Sequence, residues 1–237
     1  MTFSTKRVNA IFIKDWKDLQ RNSYILFTAA IPLFFAAWLG RIGADSAILA
    51  SYPVNLALVI AGAFIQAAMV AEEKEKNTLR GLLLSPANTL EILVGKSALS
   101  AVMTIVIITG SILLSGYHVP SLPVFAVSIL LGLIIYLAIG TILGLLSRTV
   151  MESSIIGMPV LVVFGMASMV KTTIENEVLV KVIDYLPSEQ LNHIWVRLGE
   201  GEGLSAVSGN MAVLLLWAAA SFFATMLIYR KNSMDYS

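Results

Sequence analysis

The sequence predicts an all-α integral membrane protein of six transmembrane helices, preceded by an amphipathic interfacial helix and with both termini cytoplasmic. Three observations predict it. The 237 residues are 57% hydrophobic and 13% charged, with a mean hydropathy of +0.83, whereas a soluble domain carries about 25% charged residues. Charge-free stretches recur at the ~20 residues that a helix needs to cross the hydrocarbon core. Lys and Arg gather on one side of those stretches. A net charge of +1 leaves no basic field to attract nucleic acid. The absence of cysteine excludes disulfides, thiolate nucleophiles and Cys-based metal sites. Two histidines, His118 and His193, exclude a His-rich metal cluster within one chain.

The elements follow in order within a single transmembrane domain, 1–237. In residues 5–21, Val8, Ile11, Phe12, Trp16 and Leu19 recur at helical spacing, with Lys6, Arg7, Lys14, Asp15, Lys17, Asp18 and Arg21 between them. That pattern suits a helix lying in the membrane interface, with Trp16 at headgroup level and the basic residues near anionic lipid. A helix packed on a partner is the blander reading. Charge-free runs then cover Asn22–Gly40, Ser46–Ala71, Ser97–Ser147, Ser153–Val170 and Gly203–Tyr229. The third is too long for one span and is broken at Gly116–Ser121, whose Gly, Pro and Ser favour a turn. The expected spans are therefore about 23–40, 48–71, 97–116, 122–146, 153–170 and 209–229. The fifth is the weakest, being diluted by Gly157, Pro159, Gly165 and Ser168. The first apolar run starts late and is long for a signal-peptide core, so it reads as a retained span.

Twelve Lys and Arg residues fall on the side of the N-terminus: Lys6, Arg7, Lys14, Lys17, Arg21, Lys74, Lys76, Arg80, Lys96, Arg148, Arg230 and Lys231. Four fall opposite: Arg41, Lys171, Lys181 and Arg197. The excess places both termini in the cytoplasm.

Between the second and third spans, residues 72–96 form a dense mixed-charge segment. Glu72, Glu73, Lys74, Glu75 and Lys76 begin where the apolar run ends. A short run with the apolar face Leu79, Leu82 and Leu83 follows, and Ser85-Pro86 stops it. It suits a helix inserted into a groove of a soluble partner, and equally a solvated connector that sets topology. Residues 171–208 form the expected outer loop. Leu191, Ile194, Trp195 and Leu198 recur there at helical spacing, beyond the Leu186-Pro187 stop. Packing on the spans is its simplest role, and lying on or dipping into the bilayer as a cap is the other.

No Asp, Glu, Lys or Arg lies within the six expected span cores, although ion-coupled carriers usually need buried carboxylates or broken-helix ion sites. Asn55, Gln66, Tyr136 and Thr141 are the polar candidates for a pathway, with interhelical hydrogen bonding the commoner use of such residues. Gly140 and Gly144, and Ala63, Ala67 and Ala71, form small-residue stripes for close helix approach. Gly95-Lys96-Ser97 looks like the end of a phosphate-binding loop, but that loop needs Gly where Leu90 stands. There is no G-x-S-x-G and no H-E-x-x-H. No catalytic constellation is present, so energy for uphill movement must come from another polypeptide.

The run Glu72-Glu73-Lys74-Glu75-Lys76-Asn77-Thr78-Leu79, then Leu83-Leu84-Ser85-Pro86, then Glu91 with Gly95-Lys96, resembles the signature of ABC-2-type permeases, the membrane subunits of bacterial ABC exporters. Asn77 stands where that signature commonly has Gly. Lys14-Asp15-Trp16-Lys17-Asp18-Leu19 resembles the family's opening helix. The resemblance implies an interfacial elbow helix at 5–21 and a coupling helix within 72–86 that docks on a separate ATPase. Glu72, Glu73, Lys74, Glu75, Lys76, Thr78, Leu79, Leu82, Leu83, Ser85 and Pro86 would then serve ATPase coupling, with Arg148 and Glu152 as a second contact. It implies two permease subunits, this chain with a second copy or a homologue, paired with two ATPases in the inner (cytoplasmic) membrane. The chain itself is expected to be no enzyme and to hold no cofactor, ATP and Mg belonging to the partner. A mainly apolar pathway suits hydrophobic drugs, antimicrobial peptides or lipids, and hence resistance to such compounds. The alternatives are an immunity-type binding protein and an ATP-independent channel or carrier.

Overall fold

The computed structural model describes residues 4–20, 22–43, 47–76, 89–171 and 173–234. All the regular structure among them is helical. The helices are α1 (Thr5–Gln20), α2 (Ser23–Arg41), α3 (Ala47–Ala57), a π-helical segment (Leu58–Ile65) and α4 (Gln66–Glu75). They continue with α5 (Thr89–Ser115), α6 (Leu122–Leu146), α7 (Val150–Gly165), α8 (Ala167–Lys171), α9 (Glu177–Asp184), α10 (Pro187–Gly199) and α11 (Leu204–Met234).

α3, the π segment and α4 form one uninterrupted rod at the centre of the bundle. The apolar 18-residue core of its span, Ser51–Glu75, is 94% buried, against 56% for that of Leu122–Leu146 and 22% for that of Leu204–Arg230. Apolarity all round is what allows a helix to be enclosed by neighbours in this way. The two small-residue stripes meet here. A Cβ on Gly140 would stand 2.9 Å from both the carbonyl carbon and the Cα of Ala63, and one on Gly144 would stand 2.6 Å from the Val70 Cβ. Only glycine lets α6 lie this close to the rod. α11 packs along α6, and α2 along α5.

Four described helices are long and apolar enough to cross a membrane: Ser51–Glu75, Leu90–Ser115, Leu122–Leu146 and Leu204–Arg230. The expected first and fifth spans are the ones that differ. α2 meets the criterion only together with α1, from which it is bent by 82°. α7 has 16 residues and Pro159 within it, and the chain breaks at Met166 before α8. Sixteen residues rise about 24 Å, short of a hydrocarbon core of about 30 Å. α5 begins earlier than the expected span, so Glu91 and Lys96 lie inside a helix rather than in a loop.

Within the stretch expected as an outer loop, α10 packs against the spans. α10 starts at Leu186-Pro187, with proline at the first turn where its missing N–H costs nothing. It runs antiparallel to α6. Trp195 Nε1 donates to Ser128 Oγ at 3.2 Å and stacks at a tilt on Phe125 (centroids 5.2 Å apart), while Leu191 sits against Gly132. Asn55 Nδ2 of α3 donates to Asn192 Oδ1 at 2.8 Å. The bond joins α3 to α10, and both residues are buried. Asn55→Leu should leave the buried amide of Asn192 short of a partner and cost about 1–3 kcal/mol, read as a lower thermal midpoint. An unchanged midpoint would show that apolar packing alone holds α10.

Candidate functional site

One end of the bundle, called here the charged end, gathers the N-terminal helix, the foot of the central rod, the start of α5 and the turn between α6 and α7. A small second core of Ile11, Val70, Ile92, Leu93, Leu145 and Tyr229 closes it.

α1 turns the face Ile11, Asp15 and Leu19 inward, spaced at i, i+4 and i+8. Val8 and Phe12 are half-buried, while Trp16 and Ile13 point away from the bundle. The aspartate in that inner face looked in the sequence like part of the polar side. It is buried because α5 supplies its partner. Lys96 Nζ donates to Asp15 Oδ1 at 3.0 Å and Oδ2 at 3.2 Å, and reaches Glu73 Oε1 at 2.5 Å. Lys14 bonds to the same Glu73 oxygen and lies 3.7 Å from Asp15. Two lysines and two carboxylates thus tie α1, α4 and α5 together, with Asp15, Glu73 and Lys96 each no more than 5% exposed.

Burial raises the Asp15 carboxyl above its ordinary value, and the Lys96 ammonium offsets this only in part. Burial acts to lower Lys14, but the hydrogen bond and charge of Glu73 outweigh it and leave the lysine above its ordinary value. A cavity of about 270 Å³ lies beside the network, lined among others by Asp18, Glu72, Glu73, Lys76 and Lys96.

Glu91 and Gly95 complete the attachment of α1. The Arg7 guanidinium grips the fully buried Glu91 bidentately, Nε to Oε2 at 2.8 Å and Nη2 to Oε1 at 2.6 Å, and the Ser4 N–H adds a bond at 2.5 Å. A Cβ on Gly95 would meet Ile11 at 3.0 Å. Glu91, Gly95 and Lys96, at i, i+4 and i+5, therefore share one face of α5 that receives Arg7, Ile11 and Asp15. Sequence reasoning quoted these α5 residues without giving them a role. Opposite charges one or two turns apart on two apolar-faced helices, Arg7 and Asp15 on α1 and Glu91 and Lys96 on α5, are the signal that identifies them.

The foot of the rod also holds the neighbouring turn. Lys74 Nζ donates to the Leu145 carbonyl at 2.5 Å, and Glu75 Oε2 accepts from the Val150 N–H at 3.0 Å. A cation thus sits on the last carbonyls of α6 and an anion on the first N–H groups of α7, each the favourable sign for its helix end. Lys76 pairs with Glu72 at 2.5 Å, one turn away. Arg148 is exposed, and its backbone N–H donates to Glu152 Oε2 at 2.6 Å. Thr78, Leu79, Leu82, Leu83, Ser85 and Pro86 lie outside the described residues. The structure therefore gathers Lys74 and Glu75 with the turn between α6 and α7, turns Glu73 towards α1 and α5, and leaves Glu72 and Lys76 at the rim.

The four polar span residues are buried. Gln66 Nε2 donates to Thr141 Oγ1 at 3.1 Å and to Ser97 Oγ at 3.3 Å, linking the rod to α6 and α5. Tyr136 stacks edge-on against Phe164. Asn55 bonds to α10 as described above. Their interactions are between helices of one subunit.

No curated relative matches the chain. A family model described as ABC-2 family transporter protein matches residues 43–227, from just before the central rod to the last span. With a multi-pass helical bundle and a match over most of its length, the chain belongs to the ABC-2 transporter family, the membrane permeases of ABC transporters.

Proposed function

We propose that the chain is the membrane-spanning subunit of an ABC exporter, working as a permease dimer and driven by a separate ATPase that docks on residues 72–86 from the cytoplasm. The observation that carries this reading is the charge network at the charged end. Residues 77–88 continue directly from Lys76, so a partner bound there pulls on Glu73 and through it on Lys96, Lys14 and Asp15. The interfacial helix, the central rod and α5 then respond as one body. Lys74 and Glu75 extend the same connection to the α6–α7 turn. ATP-driven closure of two docked ATPases would tilt these joined elements and re-gate a pathway between two permeases, a rigid-body transition of a familiar kind. The twelve Lys and Arg residues that the sequence assigns to the side of the N-terminus support a cytoplasmic charged end. Six crossings follow if α2 and the α7–α8 pair each count as one. The 82° bend between α1 and α2, with Trp16 and Ile13 facing outward, supports α1 as an elbow lying in the interface. The substrate class that best suits apolar helix faces without fixed charge is a hydrophobic or amphipathic compound.

The test is co-purification of the tagged permease with its co-expressed ATPase, together with ATP hydrolysis. Leu82→Asp with Leu83→Asp should leave the permease in the membrane, abolish retention of the ATPase and reduce stimulated hydrolysis at least tenfold. Undiminished retention in that double variant would remove the 72–86 segment from the coupling role.

A further inference from the structure

We propose that the cavity between α9, α10 and α11 seats the phosphate of an anionic phospholipid, with the apolar face of α9 lying against its acyl chains.

α9 is strongly two-sided. Val178, Leu179 and Val182, with Tyr185 just beyond its end, are each at least half exposed, and the helix buries no residue of its own. Its depth is fixed from α11. Trp217 Nε1 donates to the Tyr185 carbonyl at 2.8 Å, and Trp217 is the midpoint of the Leu204–Arg230 span. The end of α9 therefore lies beside the membrane-crossing stretch of α11, with its apolar side chains uncovered, and the cavity behind it, lined by Ala206, Gly209 and Asn210, lies towards the start of that stretch, where a headgroup would sit.

Behind that face lies a cavity of about 650 Å³ whose lining includes Lys181, Asp184, Gln190, His193, Arg197 and Asn210. Asp184, Glu189 and His193 each bring a ligand atom within 4.8 Å of the others, which suggests a metal at first sight. Lys171 already takes that place, bonding to Asp184 and lying 4.0 Å from Glu189. With that carboxylate paired, the open charges of the cavity are cationic. Arg197 is steadied by its bond to the Ala206 carbonyl at 2.6 Å and stands 3.9 Å from Glu202, leaving further N–H donors. Lys181 forms no ion pair among the described residues. An ammonium beside a membrane-crossing helix is costly without a counter-anion. Gln190 and Asn210, bonded to each other at 2.8 Å, add neutral polar groups. Cations at the inner wall and acyl-facing Val178, Leu179 and Val182 outside match a phosphate carrying two lipid tails better than a soluble anion.

The site concerns lipid binding by the permease alone, so it is tested without the ATPase. The full chain, purified in a neutral detergent, is melted with added phosphatidylglycerol, phosphatidylcholine or inorganic phosphate, and bound lipid is counted by native mass spectrometry. Phosphatidylglycerol should raise the wild-type midpoint by about 5 °C and remain bound, whereas phosphatidylcholine should do neither. Lys181→Gln should keep the lipid-free midpoint and lose both the rise and the retained lipid. An equal rise with phosphatidylcholine, or a rise that survives Lys181→Gln, would overturn the proposal. An equal effect of inorganic phosphate would overturn the lipid as occupant and leave a soluble-anion site.

Discussion

Lys96→Met is expected to lower the thermal midpoint of the purified permease by about 10 °C. The change leaves Asp15 and Glu73, both nearly inaccessible, facing each other with the half-exposed Lys14 as their remaining partner in the network. Removing one member of a buried ion pair costs about 3–5 kcal/mol, and each kcal/mol shifts the midpoint of a chain this size by about 2–4 °C. The deficit should depend on pH with a definite sign. Burial already raises Asp15, and Lys96 is the largest influence opposing it. Without the lysine the carboxyl rises further and the folded state binds its proton more tightly than the unfolded chain. Stability of the variant therefore improves as pH falls through the raised value, and the gap to wild type should be narrower at about pH 5 than at about pH 8. A pH-independent gap would mean that lost packing, not charge, is responsible.

A second variant separates holding from transmitting. Replacing Asp15, Glu73 and Lys96 together by Leu, Leu and Met removes the three buried charges of the network and leaves the half-exposed Lys14, whose ammonium can turn to water. Apolar replacements of buried ion pairs are often neutral or better for stability, so most of the midpoint should return. If the network only holds α1 in place, transport returns with it. If the pairs transmit movement from the 72–86 segment, transport stays low in a stable protein.

The parts of this arrangement that were legible in the sequence are those governed by solvent. Charge-free runs gave the helices because hydrocarbon excludes ionised side chains, and the turn at 116–121 was visible because glycine and proline sit where two helices must reverse. Gly116 indeed has a φ of 69°. Parts governed by packing between elements were hidden. The π-helical segment left no trace, since in Leu58–Ile65 every residue is apolar and small changes in period cannot show. Asp15 looked solvated because its partner lies 81 residues away. The packing of α10 on the spans was foreseeable from the helical spacing of Leu191, Ile194, Trp195 and Leu198, but not that Asn192 would bond to Asn55 and Gln190 to Asn210. The 72–76 charges were recognisable as a motif, but not that Glu73 turns inward while Glu72 stays at the rim.

The seam between α6 and the π segment should tolerate enlargement least of all. A methyl group at Gly140 points into the carbonyl of Ala63 and its own carbon and Cα at 2.9 Å. The obstacle is backbone, which cannot rotate away as a side chain can, so either α6 must move off the rod or the π segment must rearrange. Overpacking of this kind costs about 1–3 kcal/mol when side chains can yield. Gly140→Ala should fall at or above the top of that range, and Gly140→Val should leave little folded protein. Gly209→Ala is the control, because nothing lies within 4 Å of the added methyl, and within α11 the exchange should stabilise by up to about 1 kcal/mol. Adding Ala63→Gly to Gly140→Ala discriminates further. If the clash is with backbone, removing the Ala63 methyl restores nothing, and the double variant melts no higher than the single one. Recovery in the double variant would show that the rod can shift to accept α6, and that close backbone contact is not what fixes the seam.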